Sequence, residues 1–474
     1  MTTITASPPQ QSTRMTSRQV AVLLVLLASQ FMMAADFSVL NVALPRVGAD
    51  LGFTAGNLQW ITTVFALCAA GCTLVFGRVG DLLGRRRIFI AGMAVLAVAS
   101  VLGGIATAPP VLLVARALQG LATAAVTPAA LAMLTTAFTE PGLRTRALGL
   151  NGVMMSSGFT VGSILGGVLT DAFSWRWAFF INVPVAVAAV VVVPLVVADS
   201  RAERRSRLDA PGALLITSGL FTLIHGITRA AESGLDTLAC ASLIAAAVLL
   251  AAFWTVERRT TDALVPVRML RKPDIAFANA AALLIFGGET ALIFFTGLYV
   301  QNVLGHSSLV AGLVLLGIGA GQILGGTIGP RILERVSPRT LLGIALIGQG
   351  AFMLPGIRMS AASHWLIPLI AAQFVNAVFS MLAMLAFMVL STSAADSGRQ
   401  GMATGMATQS QQVGMAIGIP LLSAVFTTSV GDKNSGAGVA GQLSGIHAAL
   451  AVDSLSLIVG GVLLWLVLRR KERH

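Results

Sequence analysis

Three ionisable side chains stand in stretches that are otherwise apolar: Asp36 in FMMAADFSVLNVALP, Arg116 in VLLVARALQG and Glu289 in LIFGGETALIFF. A charge in a lipid-bounded helix is expensive, and insertion scales put a central Asp at roughly 3 kcal/mol. Such residues persist where they pair, face a wet cavity or exchange protons. The chemistry open to this set is therefore protonation, ion pairing and attraction of a cationic ligand. No HExxH, GxSxG or GxxxxGK[ST] motif accompanies them, and the five His (225, 306, 364, 447 and 474) are scattered. An integral-membrane enzyme and an ATP-driven machine are both disfavoured, and no metal or cofactor is expected. Work has to come from an ion gradient or from the substrate's own gradient.

The elements that carry these residues are membrane helices. Only 11% of the 474 residues are charged and 56% are hydrophobic, where a soluble protein would carry about 25% charged. Mean hydropathy is +0.86. Apolar runs of helix-spanning length are read at 19–45, 58–77, 88–107, 110–134, 147–170, 177–198, 209–228, 237–256, 275–300, 308–329, 340–357, 365–390, 401–428 and 446–468. With both termini inside, 25 of the 31 Lys and Arg fall in inner segments, five fall in outer loops, and Arg116 lies within a span. That asymmetry fixes the orientation and makes the helix count even. It also explains the net charge of +12 without a nucleic-acid partner.

The expected fold is an all-α polytopic membrane protein of two six-helix bundles plus two inserted helices. The expected divisions are a disordered cytoplasmic N-terminus (1–18), a first bundle (19–198), the inserted pair with its loops (199–274), a second bundle (275–468) and a cytoplasmic tail (469–474). The first residues lack the apolar core of a signal peptide, so the first span is retained. Cys68, Cys72 and Cys240 have no metal or redox spacing and read as inert.

Depth can be estimated from the helical rise of 1.5 Å per residue. If the first helix ends outside near residue 45, Asp36 lies roughly 13 Å below its outer end. If the fourth starts near Pro110, Arg116 lies roughly 9 Å below its outer end. The two are expected at comparable depth in one bundle and electrostatically coupled. Glu289 lies midway along the first helix of the second bundle, a position that parallels Asp36, and a buried carboxyl there suits proton exchange. Asp453 is read about two turns into the last span, either interfacial or buried.

The most specific motif is GRVGDLLGRRR, residues 77–87, on the inner side between spans two and three. Gly77 and Gly84 are read as turn residues. Asp81 is read as an acceptor for Arg or a helix-terminus anion, and Arg85 and Arg86 as inner-face anchors. This motif resembles that of the major facilitator superfamily, in particular its fourteen-helix drug/proton antiporter branch, and the resemblance runs nearly the whole chain. DFSVLNVALP (36–45) is similar to that branch's first-helix motif, with Asn41 in register. LQWITTVFALCAAG (58–71) resembles its second helix, with Phe65 where Tyr is common. RALQG (116–120), WRWAFFINVPV (175–185) and LYVQNVLGHSSLVAG (298–312) resemble further family segments.

The resemblance implies alternating access between two bundles, with Asp81 and its Arg neighbours as an inner latch. GFTVGSILGG (158–167) resembles the fifth-helix antiporter motif, but Ser163 stands where Pro usually follows the glycine. Gly158, Gly162 and Gly166, with Gly167, still form a small face for tight packing. Asn41, Gln119, Gln411 and Gln412 are candidates for the cavity wall. GIGAGQILGG (317–326) has no preceding strand or acidic partner, so it reads as helix packing rather than dinucleotide binding. GPRILERVSPR (329–339) is a candidate degenerate repeat of the loop motif, with Glu334 one place off Asp81.

The leading expectation is a proton-driven exporter of hydrophobic, including cationic, small molecules, acting as a monomer in the inner (plasma) membrane. Its expected partners are the substrate, protons and lipid. A dedicated exporter of one self-made metabolite or antibiotic is the alternative, and a proton/solute symporter is third.

Overall fold

In the computed structural model the described residues are 15–470, apart from 54–56, 139, 198–208, 261–268, 394–399 and 431–437. The expected disordered start (1–14 of 1–18), much of the expected inner loops and the last four tail residues therefore lie outside the described residues. Fifteen α-helices follow in order: α1 Ser17–Leu51, α2 Trp60–Leu83, α3 Arg85–Gly104, α4 Pro109–Ala137, α5 Pro141–Ala172, α6 Trp177–Phe180, α7 Asn182–Val196, α8 Ala210–Ser233, α9 Thr237–Arg259, α10 Pro273–Leu298, α11 Ser308–Leu333, α12 Pro338–Ala351, α13 Leu366–Ser393, α14 Gln400–Ser429 and α15 Val439–Arg470. No strand occurs among the described residues. Fourteen stretches are long and apolar enough to cross a membrane, with α6 and α7 together making one. In lipid every backbone polar group must be bonded internally, which leaves helices as the solution for such runs.

Local signals set the ends. Thr16 forms a capping box with Gln19. Asp209, Asp236, Ser307 and Ser337 cap α8, α9, α11 and α12. Pro opens α4, α5, α10 and α12 within the first turn, where its missing N–H is harmless. Some helices are longer than their apolar cores. Helix α1 continues through Pro45 to a left-handed Gly52 cap, and α15 starts at Val439, seven residues before the apolar run. Asp36 is thus fifteen residues from the end of its helix, not nine.

The two bundles repeat one packing plan. In the first, α1 packs on α5, α2 on α4, and α3 on both α4 and α7. In the second, α10 packs on α14, α11 on α13, and α12 on both α13 and α15. Helices α8 and α9 form a hairpin that lies on α2 and α14. Between bundles, α5 meets α11 and α2 meets α14.

The cores show how the halves are disposed. The outer half of α1 (Val39 to Val47), with Leu58, Leu112 and Phe179, shares one apolar cluster with the second bundle. The inner half of the first bundle, including Leu26, Phe89, Val126, Leu143 and Val193, forms a cluster of its own. With the inner side set by the charge asymmetry, this arrangement is closed toward the outside.

Candidate functional site

Asp36 and Arg116 meet in the middle of the first bundle. Arg116 Nη1 lies 2.9 Å from Asp36 Oδ2, with side chains 0% and 3% exposed. Three neutral residues complete the centre. Gln119 accepts from Arg116 Nη1 at 2.8 Å and donates Nε2 to Asp36 Oδ1 at 3.1 Å and to Ser100 at 3.0 Å. Asn182 donates a short hydrogen bond to Asp36 Oδ1. Arg116 Nε donates to the Ile61 carbonyl at 3.2 Å, and its guanidinium sits 4.2 Å from the centre of the Phe65 ring. Gly120 is required beside this cation, because a Cβ there would strike the Phe65 backbone carbonyl. A pair so deeply desolvated is held by its geometry and added hydrogen bonds, and removing one partner of such a pair costs about 3–5 kcal/mol.

The expected coupling of Asp36 to Arg116 is therefore a direct contact. Gln119, expected at a cavity wall, is instead fully enclosed within the ion-pair network. Asn41 is also buried, and its Nδ2 donates to the Phe37 carbonyl of its own helix at 2.8 Å. Sequence reading missed Asn182. In WRWAFFINVPV the lone amide, Asn182, two residues before Pro184, was the available signal.

Glu289 occupies the matching place in the second bundle. It accepts a short hydrogen bond from Gln322 of α11 and one from Ser380 of α13 at 3.0 Å. Asp453 is fourteen residues into α15 and 4% exposed, so the interfacial placement is overturned. The polar start of α15 conceals its true length in the sequence.

The fifth-helix glycines bring α5 against two helices. Gly158, Gly162 and Gly166 face α1: a Cβ on Gly162 would lie 2.8 Å from Ala35 Cα, and one on Gly166 would lie 2.9 Å from Val39 Cα. Gly167 faces across the seam, 2.7 Å by the same measure from Leu309 Cα of α11. Small residues allow such backbone approach without a hydrophobic driving force. At the outer end of this seam Asp171 accepts from the Leu309 N–H at 2.9 Å. Gln301 of the π-helical turn Tyr299–Val303 donates to the Val42 carbonyl at 3.0 Å.

The inner motif is built differently from expectation in one respect. Gly77 is an interior residue of α2, and the turn is made by Gly84 alone, at φ 104°. Asp81 accepts from Arg85 Nε at 3.0 Å, and Arg86 donates to the Val197 carbonyl at 2.9 Å. Both bonds stay within the first bundle. In the second bundle the degenerate repeat places no such bond on Glu334 among the described residues; Arg339 instead makes a two-pronged ion pair with Asp274, both contacts at 2.8 Å. Glycines 317, 321 and 325 pack on α13, as helix packing requires. Gln411 and Gln412 are half-buried on α14, whereas Gln409 is buried and donates across the seam to the Ala70 carbonyl at 2.7 Å. No group of His, Cys, Asp and Glu that could hold a metal occurs among the described residues.

Comparison with known proteins agrees with this architecture. Over 459 residues the chain is 35% identical to the puromycin resistance protein of Streptomyces alboniger, covering 94% of this chain and 90% of that protein. It is 33% identical over 471 residues to the cephamycin export protein of Amycolatopsis lactamdurans, covering 97% and 95%. A 30% identity over 422 residues links it to the tetracenomycin C resistance and export protein of Streptomyces glaucescens, covering 86% and 76%. The crystal structure of the nucleoside transporter NupG has the same fold, with a TM-score of 0.67 at 11% identity over 95% of this chain and all of that one. The profile described as Major Facilitator Superfamily matches residues 26–329 and 277–474, and with its paired bundles and fourteen spans this chain belongs to that superfamily.

Proposed function

We propose that the protein is a proton-coupled antiporter that exports hydrophobic small molecules, cationic ones included, by alternating access. The chain is a multi-pass cell-membrane protein of a transporter family rather than an enzyme family, and its relatives bear names of antibiotic export and resistance. The observation that carries the proton reading is the buried contact of Asp36 with Arg116. A proton on Asp36 removes the charge that Arg116 faces. The contacts among α1, α4 and α7 then lose their electrostatic hold, and a two-state rearrangement is biased by one binding event. The outer seam between α5 and α11 opens in one state and seals in the other, with the substrate site between the bundles. The working unit is the monomer, driven by the proton gradient without a bound cofactor.

A second reading is favoured by one observation: several relatives are named for a single antibiotic. In that reading the same machinery serves one self-made compound.

Proteoliposomes loaded with puromycin and given a pH gradient test the proposal. Wild type should move puromycin against its gradient, and Asp36→Asn should lose the pH-driven component while still inserting. Undiminished pH-driven transport by Asp36→Asn sinks the proton role. A panel of antibiotics in place of puromycin separates broad from dedicated export.

A further inference from the structure

The polar centres of the two bundles are built alike but charged differently. In the first, α7 sends Asn182 to Asp36 on α1, and Arg116 balances the carboxylate. In the second, α15 sends Asp453 to α10 one residue from Glu289: a Cβ on Gly288 would lie 2.6 Å from Asp453 Oδ1. Only glycine leaves room for a carboxyl at that level. The last helix of each bundle thus presents one polar side chain to the acid-bearing first helix.

Among the described residues no cation balances the second centre. Of the elements packed on α15, α14 carries no ionisable residue, and α12 carries only Arg339, at its inner start and paired with Asp274. Helix α10 offers Glu289, which is itself an acid, and Asp274 at its first turn. The π-helical turn has no charged residue, and the 3-10 turn Leu354–Arg358 ends in an exposed Arg358. On α15 itself the nearest titratable residue is His447, six residues or about 9 Å away along the axis, with its ring on the Met359 carbonyl at 2.9 Å. Asp453 Oδ2 is buried and has no hydrogen-bond partner. A buried carboxylate without donor or cation is strongly disfavoured against the neutral acid.

We propose that Asp453 is a second proton-carrying carboxyl of the transport cycle, loaded in the outward-closed state and acting independently of the Asp36–Arg116 pair. Loading forms one O–H bond on the carboxylate, and the proton leaves to water when the α10–α15 contact is wetted. This inference rests on the proton-coupled reading above.

The test is infrared spectroscopy of purified full-length protein labelled with carbon-13 aspartate. At neutral pH wild type should show a protonated-carboxyl stretch that shifts with the label. That band should vanish in Asp453→Asn and persist in Asp36→Asn. Gly288→Ala, which crowds the carboxyl without removing it, should move the band and serves if Asp453→Asn does not insert. Absence of a label-sensitive band in wild type overturns the proposal, as does its survival in Asp453→Asn or an unmoved band in Gly288→Ala. In proteoliposomes loaded with a pH dye and puromycin, Asp453→Asn should move one proton fewer per puromycin; an unchanged count overturns the proposal. If Asp36→Asn keeps full pH-driven transport, the antiport reading fails instead, whatever the Asp453 band does.

Discussion

The Ser163 carbonyl of α5 lies directly against Gly312 of α11, so that any Cβ at Gly312 would collide with it. Ser163 Oγ meanwhile donates to the Phe159 carbonyl at 3.1 Å within its own helix. The position where relatives of the resembled branch carry Pro is thus a contact point between the two bundles. The face toward α1 is made by the neighbouring glycines, and the face toward α11 by Ser163 and Gly167.

That contact gives a first prediction. Gly312→Leu should hold the outer seam apart, since overpacking a close backbone approach costs about 1–3 kcal/mol. Spin labels at Val168 and Leu313, both exposed, should report a longer mean distance than in the same labelled background with Gly312. An unchanged distance distribution would show that this seam does not set the closed state.

The second concerns Asn182. Asn182→Ala removes a buried donor to Asp36 and should lower stability by about 1–3 kcal/mol, read by thermal unfolding in detergent. Asn182→Asp keeps the shape but places a second acid against Asp36, so like-charge repulsion should change the pH profile of transport as well as stability. A role in packing alone would give two variants that differ in stability but share the wild-type pH profile.

How much of this was legible in the sequence follows from what each inference needed. Helix number and orientation require only window hydropathy and the placement of Lys and Arg, which are one-dimensional properties. Asp36 and Arg116 could be matched by rise per residue from the ends of their apolar runs, although α1 itself runs on to Leu51. Helix rotation cannot be read that way where polar residues run together, as at 409–412. Gln409 rather than Gln411 or Gln412 therefore reaches Ala70, and Gln119 turns into the ion pair rather than toward a cavity. Asp453 was left open between interface and interior because VAGQLSG, too polar to register as a span, forms the first two turns of α15. Gly77 was read as a turn residue, yet it lies within α2, where an added Cβ would meet nothing closer than Pro128 Cβ at 3.9 Å.

A third prediction lies on the outer surface. Arg229 donates to Asp236 at 2.9 Å, and Asp236 also accepts the Ala239 N–H. The Arg229 hydrogen bond, more than the backbone one, holds the Asp236 carboxyl below its ordinary value of 3.8. A depressed acid contributes stability above its unfolded value and loses it as pH falls through the folded one. Asp236→Asn preserves the cap on α9 but not the charge. Its stability deficit against wild type should be constant from neutral pH down to about 4 and should close below that. Because the pair is exposed, the deficit should also shrink in high salt. A gap that persists at the acid end, or that ignores salt, would assign the effect to cap geometry instead.

The last prediction returns to Arg116. Lysine keeps its charge but not its shape: the Nε bond to Ile61, the shared bond to Gln119 and the flat stack on Phe65 all depend on a planar fork. Arg116→Lys should therefore insert and retain part of the Asp36 contact, with transport reduced and stability lowered by about 1–3 kcal/mol. Arg116→Ala leaves Asp36 buried without a cation, for which the expected loss is about 3–5 kcal/mol. Neutralising the orphan by adding Asp36→Asn should recover stability without recovering pH-driven puromycin transport. The exchanged pair Asp36→Arg with Arg116→Asp should recover stability in part, since the neutral donors Gln119 and Asn182 remain but Phe65 no longer faces the cation. Full transport by Arg116→Ala would mean that the pair neither drives the cycle nor holds its helices.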